Sequence, residues 1–278
     1  MTRVLALLAA AFLSLPGPCY SQSEKFEPQV GQAGKDVIWV PTPDEVVERM
    51  LTMAQIRPGE IHFDLGAGDG KIAIAAAEKG ARATGIEYNP DMVKYANEKA
   101  RAAGVAGEGP GKAIIRHGDI FVTDFSSANV VTLYLLPVLN MKLRPQILSL
   151  RPGTRIVSHS FGMEDWKADE ISNIDGRRIY FWVVPAIVQG TWLLEAAGRK
   201  HEITLEQHFQ EFNGTIALGE SLLAGLREPR LRGTAISFAY VGDDAVRREF
   251  TGTVNGLQME GTYRDDNGAT GKWSARKR

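Results

Sequence analysis

The chain has 278 residues, 44% hydrophobic and 23% charged, with a formal net charge of -1 at pH 7. That length and apolar content suffice to bury a sizeable core and leave room for two domains. The near-neutral charge carries no global basic signature for nucleic acid, and a single cysteine excludes an intrachain disulfide framework.

At the N-terminus, Arg3 precedes an apolar run over 4–15, followed by Pro16-Gly17-Pro18-Cys19-Tyr20-Ser21. This is the layout of a secretory signal peptide spanning 1–21, and the run is too short to span a bilayer comfortably. Cleavage after Ser21 would remove Cys19 and predicts an exported, periplasmic or secreted product with no membrane span; a shorter cytoplasmic form or an uncleaved membrane tether are the alternatives. Residues 22–36 are polar and Gly-rich and read as a linker. Thr42 is then placed to cap a helix with Pro43 at its first position, and Val46, Val47, Met50, Leu51 and Ala54 form its apolar face.

Five βα alternations follow, with strands predicted near 60–65, 82–87, 112–117, 129–136 and 154–160 and helices starting near Gly70, Pro90 and Pro137. The pattern predicts an α/β fold over 37–185, a doubly wound Rossmann-like sheet with ligands at the carboxyl ends of its strands. Asp175-Gly176 between two β-rich stretches predicts a closing hairpin. From 186 to 278 the period is two throughout. Eight strands are expected there, near 190–196, 200–208, 210–218, 221–227, 231–241, 245–254, 257–265 and 269–277. They predict a smaller all-β antiparallel, barrel-like domain. Gly190-Thr191-Trp192 resembles the Gly-x-Trp opening of lipocalin-like barrels, with Arg276 as the expected partner over the indole.

Within the first region, Phe63-Asp64-Leu65-Gly66-Ala67-Gly68-Asp69-Gly70 joins a buried strand to a helix. Gly66, Gly68 and Gly70 allow positive φ and a close backbone approach to a ligand. Glu87, ending the next strand, presents a carboxylate to ribose hydroxyls. The glycines fall as G-x-G-x-G rather than G-x-G-x-x-G, and Asp64 and Asp69 put negative charge where a phosphate would sit. A nucleoside with a cationic tail fits better, and S-adenosylmethionine offers an ammonium, a sulfonium and a ribose diol. His201-Glu202 and His208 lack the helical H-E-x-x-H spacing, so no metal site is expected.

This motif resembles motif I of the class I, seven-strand S-adenosylmethionine-dependent methyltransferases. Residues 39–161, about half the chain, are similar to the protein-lysine methyltransferases related to the mitochondrial enzymes that modify the ATP synthase c-subunit and the adenine nucleotide translocase. A more distant likeness is to the seven-strand histone-lysine methyltransferases. The residues carrying it are Val40-Pro41-Thr42-Pro43, Asp64-Leu65-Gly66-Ala67-Gly68-Asp69-Gly70, Thr132-Leu133-Tyr134-Leu135-Leu136-Pro137 and Val157-Ser158-His159-Ser160-Phe161. The resemblance implies S-adenosylmethionine at Asp64, Gly66, Gly68, Glu87 and Asp119, with Tyr134 and Pro137 beside the methyl group and a lysine or other amine as acceptor. Thr42, Gly70 and Ile120, the last packing on the adenine, complete the expected cofactor site.

His159 ends the fifth strand near the same edge and could take a proton or orient an acceptor; a structural histidine fits as well. Residues from 186 onward are expected to govern acceptor choice. Two alternatives stay open: methylation of a small molecule or lipid, and an exported ligand-binding protein whose α/β domain is inactive.

Overall fold

The computed structural model describes residues 26–34, 38–219 and 221–278. The signal peptide expected over 1–21, with Cys19, lies outside them. Strands β1 (Ile61–Leu65), β2 (Arg82–Glu87), β3 (Lys112–His117), β4 (Val130–Leu133) and β5 (Arg155–His159) run parallel, and β6 (Glu170–Ile174) and β7 (Arg177–Val183) add an antiparallel hairpin. Their order is β3-β2-β1-β4-β5-β7-β6. The chain reverses its direction of winding between β1 and β4, and such a switch point opens a crevice at the carboxyl ends of the strands. Asp175 and Gly176 turn the hairpin at φ 47° and 81°, the left-handed pair that a two-residue turn requires.

Helices α1 (Asp44–Met53), α2 (Lys71–Glu78), α3 (Pro90–Ala102) and α4 (Pro137–Leu148) cover the sheet. On one face Val46, Met50, Ile72 and Ala76 pack against Val157 and Phe181. On the other, Phe125, Leu143, Ile147, Trp166 and Trp182 bury Leu65 and Leu133. All four residues of β4 are buried, as expected of a strand covered on both faces.

Two local expectations change. The fourth strand stops at Leu133 rather than continuing to 136, because Leu136 takes extended backbone ahead of Pro137 and becomes the N-cap of α4. The N-cap of α1 is Pro43 rather than Thr42, and no side chain caps it; the Thr42 hydroxyl turns instead towards His159, at 3.3 Å from Nδ1.

The remaining strands are β8 (Gly190–Ala196), β9 (Arg199–His208), β10 (Glu211–Ala217), β11 (Leu223–Gly225), β12 (Arg227–Arg232), β13 (Ala235–Val241), β14 (Arg247–Asn255), β15 (Gln258–Asp265) and β16 (Thr270–Lys277). They form one antiparallel sheet in the order β11-β10-β9-β8-β16-β15-β14-β13-β12. Nine strands replace the predicted eight, because a turn at Gly233, φ 59°, divides the segment expected at 231–241.

The first and last of these strands pair, and β11 and β12 lie almost end to end, so the sheet is nearly closed into a barrel. Its interior is filled by side chains including Trp192, Phe212, Phe238, Phe250 and Trp273. Gly252 and Gly261 face each other across β14 and β15. A Cβ on Gly261 would fall 1.9 Å from the Thr251 carbonyl oxygen, a close approach that only glycine allows. The lipocalin-like pairing fails in detail: Lys277 Nζ, not Arg276, lies over the Trp192 ring, 5.7 Å from its centroid. The period of two explains why, since Lys277 is the residue paired directly with Trp192 while Arg276 pairs with Leu193.

Candidate functional site

A cavity of about 310 Å³ opens at the carboxyl edge of β1, β2 and β4. The glycine loop forms its floor. Gly66, Gly68 and Gly70 take φ of 80°, 53° and 75°. A Cβ on Gly68 would lie 2.7 Å from Trp39 Nε1, and one on Gly66 would lie 2.9 Å from Leu135 Cδ2. Both glycines therefore hold the backbone where a side chain would collide with the cavity walls. Gly70 does something else: it is the left-handed N-cap of α2, packed towards Ala96 and Ile115, and it does not line the cavity.

Four acidic residues line this space: Asp64, Asp69, Glu87 and Asp119. Glu87 Oε2 accepts from the Gly68 amide at 2.9 Å and Oε1 from the Asn89 amide at 2.8 Å, which fixes the carboxylate beside the loop. Asp119 Oδ1 accepts from the Phe121 amide at 2.9 Å, and Ile120 and Phe121 continue the wall. Asp64 is only 2% exposed. Its Oδ1 accepts from the Thr132 hydroxyl at 2.8 Å, while Oδ2 makes no well-formed hydrogen bond, with the Ala73 amide of α2 nearby. Burial, reinforced by the negative charges of Asp69 and Glu87 and opposed by the Thr132 hydroxyl, pushes its pKa up to about 7. Asp69 itself is paired with Lys99 at 2.5 Å, so it adds less free negative charge than its position in the sequence implies.

Behind Asp64 stands a group that the sequence reading missed. His62 is fully buried, and its Nε2 lies 2.8 Å from Thr132 Oγ1. Because that hydroxyl donates to Asp64, His62 Nε2–H must donate to the hydroxyl, which fixes a neutral tautomer with Nδ1 unsatisfied. Burial pushes the His62 pKa down to about 3, consistent with the neutral ring. The alternation of β1 was the available signal, since His62 and Asp64 share a face of that strand.

The opposite wall is aromatic. Tyr134 and Phe161 line the cavity, their rings nearly parallel at 6.3 Å. His159 lies behind Tyr134, ring centroids 4.0 Å apart, and is 2% exposed with Nε2 unsatisfied. Burial, with a smaller contribution from the Arg177 charge, pushes its pKa down to about 4. Thr42 joins the two walls, lining the cavity and contacting His159. Pro137 is the first residue of α4 and stays out of the lining. Of the predicted residues, Asp64, Gly66, Gly68, Glu87, Asp119, Ile120, Thr42 and Tyr134 converge on one space; Gly70, Pro137 and His159 lie outside its lining. Trp39 and Phe161 are wall residues that the site prediction did not include.

The donor set suits S-adenosylmethionine. A buried carboxylate oxygen without a well-formed hydrogen bond fits a cation, the Glu87 carboxylate suits a ribose diol, and the glycine cradle admits no Cβ. Among the described residues, no group of three or more His, Cys, Asp or Glu is placed to hold a metal ion, and no helix is long and apolar enough to cross a membrane.

Comparison with known proteins converges on the same chemistry. Residues 64–170 match the family described as the ANTKMT methyltransferase domain. A protein-lysine N-methyltransferase of Saccharolobus islandicus is 37% identical over 155 residues, which cover 53% of this chain and 94% of that protein. The human lysine N-methyltransferase of the ATP synthase c-subunit is 28% identical over 176 residues, covering 62% of this chain and 68% of that one. Among solved structures, an RNA methyltransferase from Salinibacter ruber in complex with S-adenosyl-L-homocysteine is 47% identical, with a TM-score of 0.51, covering 54% of this chain and 96% of its own.

Proposed function

Since the chain belongs to the S-adenosylmethionine-dependent protein-lysine methyltransferases, we propose that it methylates the ε-amine of a protein lysine presented at the wall formed by Tyr134, Leu136 and Phe161. The observation that carries this reading is the joining of two unlike walls in one cavity: carboxylates and glycine backbone on one side, stacked aromatic rings on the other. When bound, S-adenosylmethionine supplies an electrophilic methyl group on a sulfonium.

Glu87 holds the ribose hydroxyls, its two oxygens aimed by the Gly68 and Asn89 amides. Asp119 and Ile120 take the adenine. Asp64, ionised with its proton released to water, would pair with the cationic tail. The Tyr134 ring, backed by His159, presents a π face to an approaching amine and attracts the positive charge that grows on nitrogen. Leu135, Leu136 and Phe161 exclude water from that face. Neutral His159 adds no competing positive charge beside the amine.

The Salinibacter protein is described as acting on RNA, so the acceptor class needs a direct test. Radiolabelled S-adenosylmethionine is incubated with the protein and fractionated cell extract, and the products are digested with protease or ribonuclease. Methyl-lysine in the protein hydrolysate is expected. Label lost to ribonuclease, or recovered in a lipid extract, overturns the lysine reading. Side chains fill the interior of the barrel, so a carried ligand would be confined to the open groove lined by Glu195, Lys200, Glu260 and Lys272.

A further inference from the structure

The acceptor wall is held from outside by the β-rich region. The segment 161–166, which carries Phe161 into the cavity, is pinned on one side by α4: Asn140 Nδ2 donates to the carbonyls of Phe161 at 3.3 Å and Gly162 at 3.2 Å, and Arg144 donates to the Met163 carbonyl at 3.1 Å and pairs with Asp165. On a second side, Trp182 Nε1 donates to the Trp166 carbonyl at 2.9 Å.

The third side is the turn between β9 and β10. Gln210 Oε1 accepts from Trp166 Nε1 at 2.9 Å, and Gln210 Nε2 donates to the Lys167 carbonyl at 2.8 Å. Phe209 stacks on Trp166 with centroids 5.8 Å apart, and the Arg144 guanidinium lies 5.2 Å from the Phe209 centroid. Trp166 is 1% exposed, so its indole N–H has little recourse to water if Gln210 is removed.

Backbone strain marks the same path. Ser160, Glu164 and Phe209 all take positive φ, at 64°, 55° and 54°. Non-glycine residues hold that conformation at a cost and persist in it where surrounding contacts enforce it. The tip is itself braced: Gln207 Nε2 donates to the carbonyls of Phe209 at 2.6 Å and Ala186 at 2.8 Å, and its Oε1 accepts from the Val188 amide at 2.7 Å. One glutamine thus fastens the turn to the connection between the two sheets.

We propose that the β-rich region tunes methyl transfer through this turn, with Phe209 and Gln210 acting as positioning residues that hold the 161–166 segment, and with it the Phe161 wall, in register with Tyr134. The proposal rests on the reading that the acceptor enters beside Tyr134 and Phe161. Neither residue touches the cavity. Their effect is carried through Trp166 to a wall whose other supports come from α4 and β7, while the carboxylate wall lies at the ends of β1 and β2, so cofactor binding is independent of them.

Hydrogen exchange on the full chain, read by mass spectrometry, compares the wild type with Phe209→Ala, Gln210→Ala and the conservative Phe209→Trp. Calorimetry with S-adenosylhomocysteine follows the cofactor wall. Amides within 161–166 are expected to exchange at least tenfold faster in both alanine variants and to recover in Phe209→Trp. The S-adenosylhomocysteine Kd should stay within twofold of wild type, and β13, β14 and β15 should keep their protection. In the labelled transfer assay, kcat should fall at least fivefold in the alanine variants and recover with tryptophan. Unchanged exchange over 161–166, acceleration spread through β13 to β15, or a parallel loss of S-adenosylhomocysteine affinity overturns the proposal. A wild-type protein that transfers no methyl to lysine removes the acceptor reading instead, while the exchange comparison still decides whether the turn holds the wall.

Discussion

Replacing Asp64 by asparagine should make the ligand-free protein more stable at pH 8 and a poorer binder of cofactor. The native carboxyl titrates at about 7 against an unperturbed 3.8. The unfolded chain therefore releases this proton first, and the contribution of Asp64 to stability is complete below pH 3.8 and is lost as pH rises to about 7. Three units at about 1.4 kcal/mol each put the cost of the buried charge near 4 kcal/mol above pH 7. Asparagine removes the charge and keeps the shape, and its amide oxygen can still accept from Thr132. Its amide nitrogen inherits a poorly satisfied site, a loss of about 1–3 kcal/mol. The expected net gain is about 1–3 kcal/mol at pH 8, shrinking to nothing near pH 5. Urea unfolding of both proteins between pH 5 and 9 measures it, and S-adenosylhomocysteine calorimetry at pH 8 should show at least a tenfold weaker Kd for the variant. An Asp64→Asn protein less stable than wild type at pH 8, with an unchanged pH slope, would refute the assigned titration.

Gly68→Ala should weaken S-adenosylhomocysteine binding more than tenfold in calorimetry, because left-handed backbone costs alanine roughly 1–2 kcal/mol and the new Cβ would meet Trp39. Glu87→Ala should lower Tm as well as affinity, since two amides lose their acceptor, each worth about 1–3 kcal/mol if left unsatisfied; equal affinity in calorimetry would remove the ribose assignment. Tyr134→Phe should leave the Kd within twofold and reduce kcat in the labelled transfer assay. The signal-like layout of 1–21 predicts a mature N-terminus at Gln22, checked by fractionation and N-terminal sequencing, and a product retaining Met1 in the cytoplasm would contradict export.

Much of the parallel sheet was legible because its strands are short apolar runs punctuated by glycine and proline, and Asn89-Pro90 states its helix start locally: the Asn89 side chain accepts from the Asp91 and Met92 amides. Thr42 was misassigned for the opposite reason. Its position before Pro43 looks like a cap, while the partner that decides its role is His159, at the end of β5 and 117 residues away in sequence. The carboxylates lining the cavity were visible from spacing, yet the raised pKa of Asp64 was not, since it depends on burial and on Thr132, Asp69 and Glu87 meeting it in space. The β-rich region was expected to govern acceptor choice, but the Trp166, Phe209 and Gln210 contacts lie beyond any local pattern. A signal existed for Trp39, which directly precedes the Val-Pro-Thr-Pro motif.

Pairing of β8 with β16 has a consequence for biosynthesis. The sheet of the β-rich region cannot be sealed until 270–277 has emerged, because β16 supplies Trp273 to its interior and the neighbour on which β8 rests. The parallel sheet needs nothing beyond β7 for its own ladder and can fold ahead of it. During synthesis, β8 to β10 therefore wait as an open ribbon with an unpaired edge, a state prone to mispairing. A premature stop between β10 and β16 should cause aggregation of the nascent product even though every residue of the glycine loop is present.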